Sequence, residues 1–432
     1  MRFMRRLACA KAFFICILVA TAAALTLPST ARAAGAQDMW RLYNPYTGEH
    51  LYTASTVERN ALVTVGWEAE GVGWVAPTHS GTPVYRLYNP YVNGGDHHYT
   101  TSEQECYALV DVGWIDEGIC WYSDDAQTVA IRRQYNPYAT TGTHNYTPDA
   151  NEATTLVSRG WKDEGTGWYA VARGDVTTSS GGITVTGPSG FTGTAEFQRL
   201  KWEISSVYDA GRDIGFVLYD MQTGRKISCG SQTLRYTASS VKAMYSAWVY
   251  ERYGSVGSAR SLVEDALVDS SNSAYSALVR RYGFSGFRSW LSANGASGVY
   301  VPSGSYYAFI SADEAADVWE HIWRNSLMGG SASSELGGFL SRTHHSAMGG
   351  LLRKRYVTWS KPGWYPTDGS YTSTNDMGIV FSDCGPYVLV VMTNYPENFG
   401  PLFSIVDAAN AAHGKLCGGS TESLMGGGVS LS

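Results

Sequence analysis

The sequence has no cluster of basic residues and no cysteines or histidines at the spacing of a metal site. Its 432 residues include 32 lysines and arginines against 38 aspartates and glutamates, a formal net charge of −6. An acidic chain without a basic cluster argues against nucleic acid as a partner. Because no C-x-x-C pair and no zinc-like His/Cys cluster occurs, we expect neither a metal nor a cofactor.

Long apolar runs are also missing, except at the N-terminus. Basic residues among the first eleven precede an apolar run over residues 12–27, which ends at an Ala-Arg-Ala sequence at 31–33. These features indicate a secretory signal peptide over residues 1–33, the alternative being an N-terminal membrane anchor. No other stretch is long and apolar enough to cross a bilayer. We therefore expect an exported protein without a membrane span after cleavage.

Cysteine is scarce as well. Of seven cysteines, five follow the predicted cleavage site, and this odd number leaves at least one of them unpaired. Cys106 and Cys120 are gained together in one copy of the repeated unit described next, so we predict that they form a disulfide. The sequence leaves the pairing of Cys229, Cys384 and Cys417 open.

The first half of the exported chain contains three copies of one unit. The segments RLYNPYTGEHLYT (41–53), RLYNPYVNGGDHHYT (86–100) and RQYNPYATTGTHNYT (133–147) are each followed by a G-W-x-x-E-G-x-x-W segment. Equivalent histidines lie 47 residues apart, and the second and third copies have two more residues before the histidine than the first copy. Such self-similarity predicts three copies of one structural unit.

Each unit predicts two strands, a short helix and a closing strand. An Asn-Pro turn follows the first strand, and Ser55, Ser102 or Asp149 stands where the helix begins, with a glutamate three residues later as in a capping box. A glycine ends each helix. Since one ββαβ unit cannot bury its aromatic face alone, we expect the units in 39–172 to pack around a pseudo-threefold axis.

Aromatic and histidine side chains of the units are candidates for ligand binding. Aromatic faces beside polar groups suit sugar rings, although the tryptophans are better explained as core and the histidines as hydrogen-bonded structural residues. The unit resembles a repeat of unassigned function in secreted bacterial proteins, often beside wall-lytic enzymes. This resemblance implies a cell-wall peptide or glycan as partner. The candidates are Tyr46, Tyr91, Tyr138, His50, His97 and His144.

The second half of the chain predicts an α+β domain. A Gly/Ser/Thr/Pro-rich stretch at 173–194 indicates a linker with at most one edge strand. A helix at 195–209, two strands, a helical middle, three strands and a closing helix then predict an antiparallel sheet backed by helices over 195–416. We expect residues 417–432 to form a flexible tail, and the protein to be a monomer.

Three short motifs occur in order within this domain. Ser239 and Lys242 form an S-x-x-K motif at the start of a predicted helix, Ser270-Ser271-Asn272 follows, and Lys361-Pro362-Gly363 lies on a predicted strand. Over about residues 195–415 the sequence resembles the penicillin-recognising serine hydrolases, the class A β-lactamases and DD-peptidases. The resemblance implies a β-lactamase/transpeptidase-like fold. The alternative for Ser239 alone is a helix cap.

The resemblance also implies a role for each motif residue. Ser239 would be the nucleophile, and Lys242, one helical turn away, would take its proton. Ser270 and Lys361 would pass a proton to the leaving group. Asn272 would hold a substrate amide.

The third motif implies further contacts and contains one departure from the family. The backbone N–H groups of Ser239 and Trp364 would form the oxyanion hole, and Gly363 would leave room for substrate. Pro362 replaces a hydroxyl residue that binds the substrate carboxylate. In addition, residues 292–311 contain no acid, whereas class A β-lactamases carry a glutamate there for deacylation.

We therefore predict a secreted, cell-wall-associated serine hydrolase with three wall- or glycan-binding repeats. It would acylate Ser239 with an amide or ester substrate related to wall peptides. Two alternatives remain open. One is a class A-like β-lactamase, and the other is a non-catalytic surface-binding protein built on a degenerate hydrolase fold.

Overall fold

The computed structural model describes residues 35–327, 331–367 and 369–417. The predicted signal peptide lies outside the described residues, as does the predicted tail beyond Cys417. The described residues form one compact unit. None of their helices is long and apolar enough to cross a bilayer.

Each repeated unit contains a three-stranded antiparallel sheet and one short helix, in the order strand, strand, helix, strand. In every unit the first strand lies between the other two. A further strand, β10 (Ala172–Arg173), pairs with the closing strand of the first unit. The elements are β1 (Ala36–Tyr43), β2 (His50–Thr53), α1 (Thr56–Thr64) and β3 (Glu68–Pro77); β4 (Pro83–Asn89), β5 (Asp96–Thr100), α2 (Glu103–Asp111) and β6 (Ile115–Tyr122); and β7 (Val129–Tyr135), β8 (His144–Thr147), α3 (Ala150–Ser158) and β9 (Lys162–Ala170).

The helices begin and end where the sequence predicts, but half of the predicted capping box is wrong. Ser55 Oγ accepts a hydrogen bond from the backbone N–H of Glu58 at 3.2 Å, and Gly66 after the helix has a φ of 101°. The Glu58 carboxylate, however, does not return to the cap. The N–H of Ser55 donates to Thr53 Oγ1 instead, and Glu58 binds Arg86 of the second unit.

Charged residues link the three units in cyclic order. The arginine of each first strand pairs with the helix glutamate of another unit, at 2.8, 3.0 and 3.1 Å, and with a closing-strand glutamate of its own unit at 2.7 Å. The inter-unit pairs are Arg41–Glu152, Arg86–Glu58 and Arg133–Glu105. Each unit therefore contacts both of the others through equivalent side chains.

Six buried rings form the core between the units. The three tyrosine rings lie 5.6 to 5.7 Å apart, and each hydroxyl accepts a hydrogen bond from the backbone N–H of the equivalent tyrosine in another unit. The three tryptophan rings lie 5.5 to 5.8 Å apart. Edge-to-face packing of this kind adds to the stabilisation by burial. The residues are Tyr52, Tyr99, Tyr146, Trp74, Trp121 and Trp168.

The second half of the chain forms a seven-stranded antiparallel sheet with helices. The strand order is β11-β12-β14-β13-β19-β18-β17. The elements are β11 (Val176–Ser180), β12 (Ile183–Gly187), α4 (Ala195–Asp209), β13 (Ile214–Asp220), β14 (Lys226–Cys229), β15 (Arg235–Tyr236), α5 (Val241–Tyr253), α6 (Arg260–Leu267), α7 (Asn272–Tyr282), α8 (Ser285–Ala293), β16 (Phe309–Ile310), α9 (Ala312–Leu327), α10 (Ser331–Leu340), α11 (Ala347–Leu352), β17 (Val357–Tyr365), β18 (Ser373–Ser382), β19 (Gly385–Thr393) and α12 (Gly400–Leu416).

Most of the stretch that we expected to be a linker, 173–194, belongs to this sheet. β11 and β12 form a hairpin whose two-residue glycine turn at 181–182 has positive φ at both positions, as the twist of a hairpin requires. β12 then pairs with β14. The physical reason is the alternation in 183–187, since Ile183 and Val185 are buried in the domain core and the threonines between them are not.

The first repeated unit packs directly on the second half of the chain. Asp175 Oδ2 accepts hydrogen bonds from the backbone N–H of Val72 at 3.0 Å and from Arg225 Nε at 2.9 Å. Arg225 also donates to the carbonyl of Leu416 at 2.7 Å. Trp40 and Trp67 of the first unit share one apolar core with the helices of the second half. The two halves are thus joined by a packed interface.

The predicted Cys106–Cys120 disulfide is wrong. Both cysteines are free, because Cys120 Sγ points at the neighbouring strand and donates to the carbonyl of Val84 at 3.1 Å, while Cys106 is buried on α2. Within the described part of the chain, a disulfide joins Cys384 to Cys417. It ties the end of α12 to the turn between β18 and β19.

Candidate active site

Ser239 lies on a tight turn that leads into the buried helix α5. A 3₁₀ turn spans Ala238–Ser240, and Ser240 Oγ donates to the carbonyl of Thr237 at 2.7 Å. Ala238 has a φ of 45°, a left-handed conformation that is uncommon for a residue with a side chain. Such strain is retained where the surrounding structure imposes it, and it is often found at functional sites. The turn therefore holds Ser239 in a fixed position.

The strand β17 lies against this turn at Gly363. A Cβ atom on Gly363 would lie 2.3 Å from the carbonyl oxygen of Thr237, 2.6 Å from the nitrogen of Ser240 and 2.8 Å from the nitrogen of Ser239. Only glycine permits this approach. This approach brings the backbone of Gly363, the residue before Trp364, close to the N–H of Ser239.

Lys242 is fully buried one turn after Ser239. Its Nζ donates to the carbonyl of Ser270 at 2.6 Å and to Asn272 Oδ1 at 2.7 Å. Burial lowers the pKa of Lys242 to about 7, because the ammonium form is poorly solvated. A neutral amine has two hydrogens, and both have acceptors here. Its lone pair is then free to take a proton.

Ser270 also accepts a hydrogen bond from the second lysine of the site. Lys361 Nζ, fully buried, donates to Ser270 Oγ at 3.0 Å and to the carbonyl of Pro362 at 3.2 Å. Burial, and then the charge of Lys242, hold the pKa of Lys361 well below that of free lysine, and Asp376 opposes them. Ser270 has a φ of 59°, a second left-handed residue in the site. The three motifs thus meet at Ser270, whose carbonyl accepts from Lys242 and whose hydroxyl accepts from Lys361.

Asp376 is a site residue that the sequence analysis missed. It lies on β18 opposite Pro362 and is fully buried, and its Oδ2 accepts from Ser346 Oγ at 2.8 Å and from the N–H of Met348 at 2.9 Å. Burial raises its pKa to about 6. It contributes negative charge near Lys361. Its sequence signal was an aspartate directly before the apolar run of β18.

Tyr307 makes a contact that the sequence did not predict. It lies in the acid-free loop, and its hydroxyl donates to Asn272 Oδ1 at 2.9 Å. Burial raises its pKa, so that it is a hydrogen-bond donor rather than a base. The acids that follow the loop are bound elsewhere, because Asp313 accepts from Ser231 Oγ and Glu314 accepts from Ser311 Oγ.

Aromatic rings surround the turn that carries Ser239. Tyr236, three residues before it, lies 5.0 Å from Tyr371, 5.3 Å from Phe309 and 6.2 Å from Tyr365, measured between ring centroids. Tyr365 and Tyr371 are exposed. Pro362, by contrast, is buried and has no hydroxyl to offer a substrate.

The candidate ligand-binding residues of the repeated units fall into two groups. The histidines contact acids, with His50–Glu70 and His144–Glu164 at 3.3 Å and His97–Glu49 at 2.6 Å, which agrees with a structural role. The three tyrosines remain about 80 % exposed, and each ring lies over the glycine that ends its helix. The tyrosines are Tyr46, Tyr91 and Tyr138.

One cluster on the far side of the sheet has a composition that could suit a metal. The ligand atoms of Asp220, His413 and Cys417 lie within 4.8 Å of one another. However, Cys417 is in a disulfide, His413 Nε2 contacts Asp220 Oδ2 at 2.9 Å, and Asp220 also accepts two backbone hydrogen bonds. The cluster is therefore explained by structural contacts.

Comparison with known families assigns the two halves of the chain differently. Residues 246–414 match the beta-lactamase enzyme family, and residues 38–171 match a domain of unknown function (DUF5648). The first of these matches begins just after Ser239 and Lys242. No curated protein matches the chain.

Solved structures similar to the chain cover about half of it. They include a beta-lactamase from Sphaerobacter thermophilus (12 % identity, 51 % of this chain and 98 % of that one, TM-score 0.44). A class A beta-lactamase from Bacteroides cellulosilyticus has 13 % identity, with 51 % and 99 % covered and a TM-score of 0.44. The TLA-3 extended-spectrum beta-lactamase has 13 % identity, with 50 % and 97 % covered and a TM-score of 0.42. The family match thus makes residues 246–414, in the second half of the chain, similar to the beta-lactamase enzyme family.

Proposed function

We propose that the protein is an exported, cell-wall-associated serine hydrolase that acylates Ser239 with an amide or ester related to wall peptides. The observation that carries this proposal is the fully buried Lys242, whose pKa is lowered to about 7 one turn from Ser239. Burying a lysine costs stability and a helix cap alone does not require it, so a buried lysine with a lowered pKa indicates a functional site.

Acylation begins with proton transfer from Ser239 Oγ to the lone pair of Lys242. Oγ then attacks the substrate carbonyl carbon, and the carbonyl oxygen becomes an oxyanion. The N–H groups of Ser239 and Trp364 stabilise this charge. The approach of Gly363 to the turn supports this pairing of donors.

The leaving group needs a proton before the C–N or C–O bond can break. Ser270 Oγ donates it, and the ammonium form of Lys361, which the charge of Asp376 favours, replaces it through their 3.0 Å hydrogen bond, while Lys242 keeps the proton of Ser239. The products of this step are an ester on Ser239 and a free amine or alcohol. Water or another nucleophile then cleaves the ester.

Deacylation is slow in this account. Asn272 Oδ1 is occupied by Lys242 and by the hydroxyl of Tyr307, a donor that cannot activate water. β-Lactam hydrolysis is the second candidate function, favoured by the family match over 246–414. Efficient hydrolysis of β-lactams is disfavoured because the hydroxyl of Tyr307 binds Asn272 and because residues 292–311 contain no acid.

The substrate is one without a carboxylate at the third motif. Pro362 is buried and offers no hydroxyl there, while exposed aromatic rings line the same side of the site. Neutral or substituted wall peptides suit these surroundings better than a free D-alanine terminus does.

The repeated units form a pseudo-threefold domain that holds the enzyme on a wall glycan. Support comes from the cyclic Arg–Glu pairs and from three equivalent, exposed tyrosines. Several similar sites on a polymer raise the apparent affinity by avidity.

The test compares three substrates with a Ser239→Ala control whose fold is checked by circular dichroism. We expect the wild type to release product from an activated thioester and from an ester-linked peptide, with little turnover of the chromogenic β-lactam nitrocefin. Rapid nitrocefin turnover favours the β-lactamase alternative. Product release that persists in Ser239→Ala contradicts the proposal.

A further inference from the structure

A cavity of about 360 Å³ lies between the first and third repeated units. The first unit contributes Tyr43 and His50 to its wall, and the third contributes Asn145, Glu152 and Trp161. Ligand sites for small molecules begin at about this volume and combine aromatic faces with a few fixed polar groups. The other two junctions between units have different residues at the equivalent positions. These differences explain why this junction contains a cavity.

The turn of the first unit is two residues shorter than the turns of the other units. The backbones of the first and third units meet at one side of the cavity, because a Cβ on Gly142 would lie 2.4 Å from the carbonyl oxygen of Gly48. Both glycines line the cavity. The shorter turn therefore leaves the space above this contact unfilled.

At the junction of the second and third units, the position of Asn145 is taken by His98. The His98 ring lies 4.6 Å from the ring of His144 and 6.3 Å from that of Trp114, and its Nε2 lies 3.2 Å from Glu105. An imidazole thus occupies the space that the smaller Asn145 leaves open.

At the junction of the first and second units, the space is closed in another way. The equivalent of Asn145 is Leu51, which is buried in the core shared with the second half of the chain. Trp67, the equivalent of Trp161, is buried there too, and Arg324 Nη1 donates to its carbonyl at 3.1 Å. Trp161 is left partly exposed.

Asn145, which lines the cavity, has long hydrogen bonds. It is 1 % exposed, its Nδ2 reaches Gln134 Oε1 at 3.5 Å and Glu152 Oε1 at 3.4 Å, and its Oδ1 accepts from the hydroxyl of Tyr52 at 3.4 Å. The Nε2 of Gln134, next to it, is buried without a partner among the described residues. Buried amides normally have such bonds satisfied. A ligand oxygen in the cavity could supply one.

The charges around the cavity favour a neutral ligand. Glu152 is paired with Arg41 through two hydrogen bonds, and Arg41 also binds Glu70. Two carboxylates thus share one guanidinium, and among the described residues no lysine or arginine lines the cavity. An anionic ligand would be repelled there.

We propose that this cavity binds one neutral sugar ring, which lies against Trp161 and Tyr43 while its hydroxyl or amide groups bond to Asn145. The inference rests on the proposed glycan-binding role of the units, and it gives that role a site. It does not depend on the reaction at Ser239.

The experiment is saturation-transfer NMR on the full exported chain with Ser239→Ala, using N-acetylglucosamine and galactose as probes. We expect transfer to at least one of these sugars, and a loss of at least tenfold in affinity on Asn145→His, which introduces the residue of the second unit. Asn145→His should keep the circular-dichroism spectrum and the melting temperature of the parent chain, which shows that its fold is retained.

Three outcomes overturn the inference. One is binding of a sugar that Asn145→His leaves unchanged. Another is loss of binding in a Tyr46→Ala, Tyr91→Ala, Tyr138→Ala variant but not in Asn145→His, which assigns binding to the exposed tyrosines. The third is that no probe binds. In that case co-sedimentation with wall glycan separates failure of the cavity alone from failure of the proposed role of the units.

Discussion

Lys361 Nζ lies 3.0 Å from Ser270 Oγ, although 91 positions separate the two residues in the sequence. Lys361 lies on β17, and Ser270 lies two residues before α7 in a left-handed conformation. This contact joins the second and third motifs, and in the proposed mechanism it is the route by which a proton reaches the leaving group.

Ser270→Ala should therefore slow acylation without preventing substrate binding. Loss of a positioned proton donor costs about 10²- to 10⁴-fold in rate. The measurement is the acylation rate constant with an amide substrate at saturating concentration. The acylation rate with an activated ester, whose leaving group needs no proton, should fall much less. Equal decreases in rate for both substrates would argue against this proton route.

The rate of acylation should rise with pH and level off above about pH 7. The pKa of Lys242 is lowered to about 7, so its proton-accepting neutral form predominates above that pH and disappears below it. The rate of fluorophosphonate labelling between pH 5 and 9 measures this dependence. Lys242→Arg, which stays protonated, should not be labelled. A flat pH profile would show that another base is used.

Gly363→Ala should abolish labelling of Ser239. The added Cβ would lie 2.3 Å from the carbonyl oxygen of Thr237, so the turn and β17 must separate. Gly338→Ala is the matched control, because a Cβ there meets no atom within 4 Å on helix α10. We expect the control to keep full labelling and an equal or higher melting temperature. Full labelling of Gly363→Ala would contradict the close packing of β17 on the turn.

Asp175→Ala should destabilise the packing between the first repeated unit and the second half of the chain. Asp175 and Arg225 are both 6 % exposed at their side chains, and removing one partner of a buried pair costs about 3–5 kcal/mol. Differential scanning calorimetry should show a lower melting temperature or a transition that splits in two. An unchanged single transition would mean that this ion pair contributes little to the interface.

Local patterns predicted the secondary structure well. The helix expected at 195–209 occupies those residues, and Ser55, Ser102 and Asp149 cap their helices. Such elements depend on periodicity and on cap chemistry, which are local in the sequence.

Contacts between distant residues were harder to predict. Glu58 fits the capping-box pattern in the sequence. In the structure its carboxylate instead forms an ion pair with Arg86 of the second unit. Cys106 and Cys120 occur in the same unit, yet the side chain of Cys120 contacts the neighbouring strand instead. Tyr307 and Asp376 carry no motif, and only the fold places them against Asn272 and Lys361.

The most direct test of the account is intact-mass spectrometry of the mature protein after incubation with a fluorophosphonate, and separately with penicillin. Ser239→Ala serves as the control. We expect one fluorophosphonate adduct per chain on the wild type alone, and any penicillin adduct should persist because deacylation lacks a base. If the wild type gains no mass from either probe, Ser239 is a helix-start residue and the proposed hydrolase is contradicted.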